Sequence, residues 1–501
     1  SQNTVAPHAY FVPYATEDAA IKESASPFVR SLNGLWLFKI VKTPAERPLN
    51  FYETNYDVSA WEKIKVPANW QTEGKDSYIF TDVEYPIPVN PPFVPKDFNP
   101  VGSYKRAFDL PRDWKEKNVF IRLGAVNSFF YLWINGKYVG LSKDSKTPSE
   151  FDITPYIIPG KNSVALQVFR FSDGTYLEGQ DMWKLSGIER DIELIARPKI
   201  AIEDFFVKAG LDDDYKNGLL DLHVSMNHGP AASAGQSLRI KLVDDASGKT
   251  IYSQQVPLNK KDFQFGSTIP SVRKWSAETP NLYSLYITQL DNKGKIIESI
   301  VHKTGFRTAE IKHGLFLVNG KAIKIKGVNR HEHNMYTAKV ITQEQMVEEI
   351  RVMKQFNINA VRTSHYPNNE AWYKLCNLYG IYLVDEANIE CDGMSMSPIK
   401  TLSDKPEWKN AYLHRTERMF ERDKNFCSII TWSLGNESSF GENFIATYDY
   451  LKNKDNTRPV QYEAAQSTPY TDIIAPMYKS LNIMMEYVKD WRKKPFIQCE
   501  Y

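Results

Sequence analysis

From about residue 307 the chain alternates short apolar segments with amphipathic ones, and this alternation restricts the fold more than any other feature. "AIKIKGVNRH" reads as a strand and "TQEQMVEEIRVMKQFN" as the helix after it. Thr342 and Gln345 have the spacing of a capping box, and Met346, Ile350 and Met353 share one helical face. "AVRTSHYP" is the next strand, and "NNEAWYKLCNLYG" the next helix, closed by a glycine C-cap. "IYLVDEANIE", "SIITWSLGNES", "PVQYEAA", "DIIAPMY" and "PFIQCEY" continue the series of strands. Seven strands in this order predict an α/β (TIM) barrel over residues 307–501, truncated after strand seven. An open barrel leaves strands one and seven with unpaired edges.

Upstream the texture changes. Residues 1–198 read as short strands broken by turns, among them "NVFIRLGAVNSFFYLWINGKYVG", with a hairpin signal at Asn135-Gly136. Helical periodicity is sparse there, which predicts a β-sandwich of jelly-roll type. Within it "YPIPVNPPFVPKDFNP" holds too much proline for a central strand and is expected to be an ordered loop. Residues 199–306 carry strands at regular intervals, such as "GLLDLHVSMNH" and "SLRIKLVDDASGKTIYSQQV", and predict an immunoglobulin-like β-sandwich. The expected chain is multidomain, as its 501 residues require.

Barrel enzymes present working groups at the carboxyl ends of their strands. Here those ends collect Asn329 to His333, Arg362 and His365, Asp385 to Glu390, Asn436 and Glu437, Glu463, Tyr478 and Glu500. One glutamate at a strand end is an ordinary solvated terminus. Polar ends on seven strands together indicate a site. It offers carboxylates, imidazoles and a tyrosine, with no glycine-rich phosphate loop. Two carboxylates on facing strands suit glycoside hydrolysis, one protonated and donating to the leaving oxygen, the other ionised. Glu437 and Glu500 are the pair. Asn436 is placed to bond a sugar hydroxyl, and Tyr478 to hold Glu500.

A net charge of +2 gives no reason to expect nucleic acid or an anionic membrane as partner. No apolar run approaches the roughly 18 residues of a membrane span. The opening "SQNTVAPHAYFVPYATED" lacks the pattern of a signal peptide, so a soluble protein, cytoplasmic or periplasmic, is expected. The four cysteines, Cys376, Cys391, Cys427 and Cys499, fit neither a zinc site nor a disulfide framework and read as reduced core residues.

At these residues the sequence resembles glycoside hydrolase family 2. The stretches that carry the resemblance are "YPIPVNPPFVP", "YLEGQDMWKLSGIERDIEL", "GVNRHEHN", "NAVRTSHYPNNEAWYKLCNLYGIYLVDEANIE", "IITWSLGNES", "IIAPMY" and "PFIQCEY". The resemblance implies retaining hydrolysis of terminal β-D-galactosyl residues, lactose among them, by double displacement. Glu437 matches the general acid/base and Glu500 the nucleophile. Asn436 matches the contact to the sugar 2-hydroxyl, and His331 and His365 the imidazoles that support the glycosyl group. Arg362 orients carboxylates, Tyr478 stands near the nucleophile, and Asp181 reaches in from the first sandwich to bind sugar and Na⁺. Asp82 stands where the family often has asparagine. For Mg²⁺ the resemblance implies Glu390, Asp392 and Glu437, with Asp392 replacing the usual histidine; a carboxylate is a hard ligand that suits this ion.

The family's later sodium ligands, its aromatic substrate platform and further β domains would fall beyond Tyr501. The 501-residue chain alone is therefore expected to be weakly active or inactive, and the full-length protein a homo-oligomer. Another activity of the same family, such as a β-glucuronidase, is the alternative enzyme. A non-catalytic carbohydrate-binding fragment built on the jelly roll is the rival of another class; the pair Glu437 and Glu500 argues against it.

Overall fold

The computed structural model describes residues 1–228, 235–394, 401–489 and 494–501. Its first unit is a sandwich. A six-stranded antiparallel sheet runs in the order Lys137–Lys143, Phe129–Ile134, Lys161–Phe169, Val101–Asp109, Gly34–Val41, Glu62–Val66. It packs on a four-stranded sheet of Val29–Ser31, Ile192–Arg197, Asn118–Leu123 and Ser149–Asp152. Alternation does this locally: along Asn118–Leu123 every second side chain is buried, so one face joins a core of Trp36, Tyr104, Ile121, Leu132 and Leu194. Asn135 and Gly136 both take positive φ, 51° and 77°, which closes the hairpin between Ile134 and Lys137 as its sequence requires.

The second unit pairs Ile202–Leu211, Gly218–Met226 and Asp262–Ile269 in one sheet. Thr250–Pro257, Ser237–Asp244, Tyr283–Leu290 and Ile296–Thr304 form the other. Its core of Leu222, Val224, Ile240 and Ile287 is separate from that of the first sandwich.

The third unit is a parallel sheet with helices. Gly327–Asn329, Ala360–Arg362, Tyr382–Glu386, Ile429–Ser433 and Val460–Gln461 pair in sequence order. The sixth and seventh strands are marked by single parallel bridges, Gln461 to Ile473, Ile474 to Phe496 and Met477 to Glu500. All seven expected strands occupy their places, but the outer ones are shorter than their apolar runs. Strand one pairs over three residues only, because Leu315–Val318 takes Lys321–Ala322 into a separate meander. Between strands seven and one, Tyr501 Oη donates to Gly327 O at 3.0 Å and Asn329 Nδ2 to Cys499 O at 3.1 Å. These four residues line a cavity of about 520 Å³ together with Phe316, Val328, Met484 and Phe496.

The helix Gln343–Gln355 starts at Thr342, whose side chain accepts from Gln345 N at 3.2 Å. The expected reciprocal half of the capping box is replaced. Gln345 Nε2 donates instead to His333 O (3.0 Å) and Glu349 Oε1 (2.8 Å), tying the helix to the loop after strand one. Met346 and Ile350 are buried and Met353 half-buried. The helix Glu370–Tyr379 ends at Gly380, with φ 77°. Cys376, Cys391 and Cys427 are buried free thiols, and Cys499 is a half-buried one. Among the described residues, no helix is long and apolar enough to cross a membrane.

The first sandwich is joined to the barrel at one seam. Glu178 and Glu390 form a parallel bridge, with Gly179 N donating to Glu390 O (3.0 Å) and Glu390 N to Leu177 O (2.8 Å). Arg415 Nη1 clamps the seam, donating to Glu178 Oε1 at 2.6 Å and Asn388 O at 2.9 Å. The proline-rich loop packs Tyr85 and Ile87 into the barrel's own core. Tyr85 Oη donates to Tyr176 O at 2.7 Å.

Candidate active site

Arg362, at the end of strand two, organises the barrel mouth. The pleat turns it inward, where its fork reaches three acceptors: Glu386 Oε2 (2.7 Å), Glu500 Oε1 (2.8 Å) and Asn436 Oδ1 (2.7 Å). Strands two, three, four and seven are thus joined by one guanidinium. Burial opposes its charge, but Glu386 and Glu500 outweigh burial and raise its affinity for its proton. His365, on the same strand end, sets Nδ1 2.8 Å from Glu386 Oε1 and Nε2 3.8 Å from Glu500 Oε1. Burial and Arg362 push this imidazole down, toward its neutral form.

Glu500 also receives Tyr478 Oη at Oε2, 2.5 Å, while Tyr478 N donates to Glu500 O at 2.9 Å. Its carboxylate is held from both sides and aimed across the mouth. Tyr478 has φ 52°, and its ring is 68% exposed. The bond to Glu500 raises the phenol to about 12, so it remains a donor at neutral pH.

Glu437 has a different environment. Its N–H donates to Glu463 Oε1 at 2.9 Å, and its φ is 33°, a left-handed value that re-aims the side chain after strand four. Burial, then Asp392, Glu500 and Asp181, push Glu437 up to about 7. Asn436 is fixed by Arg362 on its oxygen, while its Nδ2 donates to Glu390 Oε1 (3.0 Å) and Glu437 Oε2 (3.4 Å).

The seam carries Asp181 to the same place. One oxygen each of Asp181, Asp392 and Glu437 lies within 4.8 Å of the others. Burial pushes Asp181 up to about 6, and the neighbouring carboxyls of Asp82 and Asp392 add to the shift. Asp181 Oδ1 and Glu390 Oε2 are buried without a partner. Glu390 itself is fully buried, and burial pushes it well above the carboxylate range. The donor set is all oxygen, as hard divalent cations prefer. It joins Asp181, expected at sodium, to two of the three residues expected at magnesium, with Glu390 behind them on Asn436.

His331 stands at the rim, its ring 5.6 Å from that of His365. Burial, Lys339 and His365 push it down to about 2, so it is neutral. Its Nδ1 lies 3.2 Å from Tyr366 Oη, which accepts from Glu332 N (3.2 Å) and Lys339 Nζ (3.3 Å). Asp181, Asn436, Glu437, Tyr478 and Glu500 thus gather with Arg362 and His365 at one mouth, whereas other strand-end residues are engaged elsewhere: Arg330 bonds Glu349 and Asn368, Glu332 pairs with Arg190, and Asp385 accepts from Tyr373 Oη. Sequence reasoning assigned no role to Glu386, which braces Arg362 and His365, or to Glu463, which burial pushes up to about 8, beyond their place at strand ends. Both are strand-end carboxylates, and that was their only signal. Tyr366 and Lys339 had none.

Comparisons with known proteins agree with this architecture. Residues 29–198 match the model of the glycosyl hydrolases family 2 sugar binding domain, 200–307 the family 2 model proper, and 309–501 its TIM barrel domain. The chain belongs to glycoside hydrolase family 2. A beta-galactosidase of Psychromonas ingrahamii is 41% identical over 100% of this chain and 50% of its own length. One of Priestia megaterium is 42% identical over 99% and 50%. The chain spans about half the length of the curated relatives it matches. Among solved structures, a Bifidobacterium dentium β-glucuronidase superposes with TM-score 0.74 at 19% identity, covering 93% of this chain and 83% of that one. A Bacteroides vulgatus β-glycosidase gives 0.75 at 22%, covering 94% and 58%. At such identities these structures speak for the fold alone.

Proposed function

We propose that the protein of which these residues are part hydrolyses terminal β-D-galactosides, lactose-type disaccharides among them, with retention of configuration. The observation that carries this is the contrast between two carboxyls. Glu437 is pushed up to about 7 and so holds a proton near neutral pH. Glu500 is gripped by a guanidinium and a phenol. Paired carboxyls in contrasting environments are how one site supplies both an acid and a nucleophile. Glu500 attacks the anomeric carbon as the glycosidic bond breaks, and the departing oxygen takes the Glu437 proton. A galactosyl ester on Glu500 results. Water then attacks the same carbon, giving its proton to Glu437 and freeing Glu500.

Asn436 is fixed by Arg362 and Glu390, so its remaining amide capacity can meet the sugar 2-hydroxyl without reorganisation. Neutral His331 and His365 support the galactosyl hydroxyls. The rim of Asp82, Asp181, Asp392 and Glu437 favours a neutral galactoside over an anionic glucuronide. Mg²⁺ would be held by Asp181, Asp392 and Glu437, with Glu390 behind them; Na⁺, expected at Asp181, would compete for the same carboxylate. A bound cation would neutralise the cluster and lower the Glu437 acid. Matched nitrophenyl β-galactoside, β-glucuronide and β-mannoside, with the first-formed anomer read by NMR, test the reading. Galactoside preference and an initial β-product are expected. A preferred glucuronide, or an α-product, would overturn it.

A further inference from the structure

The proton of a neutral imidazole sits on the nitrogen that its partners dictate. His365 Nδ1 lies 2.8 Å from Glu386 Oε1, while Glu386 Oε2 accepts from Arg362 Nε (2.7 Å) and Ser433 Oγ (2.6 Å). Burial opposes the charge of Glu386, but Arg362 and His365 outweigh burial and hold it ionised. A carboxylate only accepts, so His365 Nδ1 donates and its Nε2 keeps the lone pair.

His331 is arranged the other way. Its Nδ1 faces Tyr366 Oη at 3.2 Å, the one hydrogen bond of this ring among the described residues. The phenol oxygen already receives two donors, Glu332 N at 3.2 Å and Lys339 Nζ at 3.3 Å. A main-chain amide and a charged lysine can only donate. The Tyr366 hydrogen therefore has one acceptor in reach, the Nδ1 lone pair of His331. Burial raises the phenol above its ordinary range, so the hydrogen stays on the oxygen. Neutral His331 then carries its own hydrogen on Nε2, the nitrogen left for a ligand.

Both donors to Tyr366 are braced. Glu332 accepts from Arg190 Nη2 (2.8 Å) and Asn369 N (2.6 Å). Lys339 is buried in the loop after strand one, and its N donates to Asn69 Oδ1 of the first sandwich at 3.0 Å. Asn69 Nδ2 donates to Glu189 Oε1 (3.1 Å), the ion-pair partner of Lys146, and Lys146 Nζ stands 4.9 Å from the centre of the Tyr366 ring. Burial and Lys146 lower Lys339 to about 7, so at about pH 6 it is charged.

We propose that Tyr366 is a positioning residue that holds His331 in its Nε2–H form, opposite to His365, so that the two imidazoles offer the galactosyl ring one donor and one acceptor. This rests on the galactosidase reading above. A sugar hydroxyl both donates and accepts, and rings 5.6 Å apart, edge to face, can serve both roles.

Neutron diffraction from deuterium-exchanged crystals of the full-length protein, at about pH 6, reads these hydrogens directly. Deuterium on His331 Nε2 and His365 Nδ1, with the Tyr366 deuterium pointing at His331 Nδ1, is expected. Deuterium on His331 Nδ1 would overturn the assignment. For Tyr366→Phe, kcat/KM on a nitrophenyl β-galactoside is expected to fall about tenfold, the upper end for one net hydrogen bond. On one of the matching 3-, 4- or 6-deoxygalactosides, the one without the hydroxyl that His331 meets, the substitution should have no effect. Equal losses on all four substrates would mark a purely structural role and overturn the positioning. An unaltered protein that turns over no galactoside would overturn the functional reading and the hydroxyl contact with it, while the neutron map would still decide the state of His331.

Discussion

Replacing Tyr478 with phenylalanine isolates one contact to the nucleophile. The change removes the donor 2.5 Å from Glu500 Oε2 and leaves the main-chain bond from Tyr478 N to Glu500 O, at 2.9 Å, in place. The ring is 68% exposed, so no core packing is lost. A hydrogen bond to a charged acceptor contributes about 1.5–3 kcal/mol, and exposure argues for the lower end. Glu500 also keeps Arg362 at 2.8 Å, which limits the loss. About 1.4 kcal/mol corresponds to tenfold in rate, so kcat/KM for a nitrophenyl β-galactoside should fall about tenfold. The assay pairs steady-state kinetics with a melting curve, and the melting temperature should not move. Unaltered kcat/KM would refute the role given to the phenol. A rate loss matched by a large drop in melting temperature would refute the claim that the contact acts on the site rather than the fold.

Other expectations follow from groups with displaced proton affinities. Glu437 acts as an acid only while protonated, so kcat/KM for a poor leaving group should fall as pH rises through about 7, and added Mg²⁺ should move that limb to lower pH. Asp181→Asn removes one of three clustered carboxylates, and isothermal titration should show Mg²⁺ binding weakened by about tenfold or more. His302 is buried with Nε2 2.9 Å from Asn425 O, and burial pushes it down to about 4. Between that value and the ordinary histidine range the unfolded chain binds the extra proton. The histidine's contribution is therefore complete above about pH 6.5 and is lost on acidification. Urea unfolding at pH 7 and pH 5 should show the unaltered protein losing up to about 2 kcal/mol more than His302→Gln.

Much of the site could be read because barrel strands deliver their last residues to one mouth. Once seven strands were counted, Arg362, His365, Asn436, Glu437, Tyr478 and Glu500 had to converge. What could not be read depends on pairings between distant segments. Asp181 reaches Glu437 only because residues 177–179 bridge to Glu390, more than two hundred positions away, and no local pattern marks that bridge. The regrouping of Asp181 with Asp392 follows from the same seam. The strand one expected from "AIKIK" is too long because Ala322 pairs with Leu317 in the preceding meander and Ile323 N donates to Phe316 O at 3.1 Å. Gln345 was read as half of a capping box; the carbonyl of His333, brought close by the loop after strand one, is the partner it takes instead.

The roles of the two glutamates are tested most directly by trapping the intermediate. The full-length protein would be treated with a 2-deoxy-2-fluoro-galactosyl donor bearing a good leaving group, then digested and mapped by mass spectrometry. One added fluorogalactosyl group on Glu500, released as activity returns, is the expected result. Label on Glu437 or Glu463, or turnover with no labelled glutamate, would contradict the assignment of Glu500 as nucleophile and Glu437 as acid.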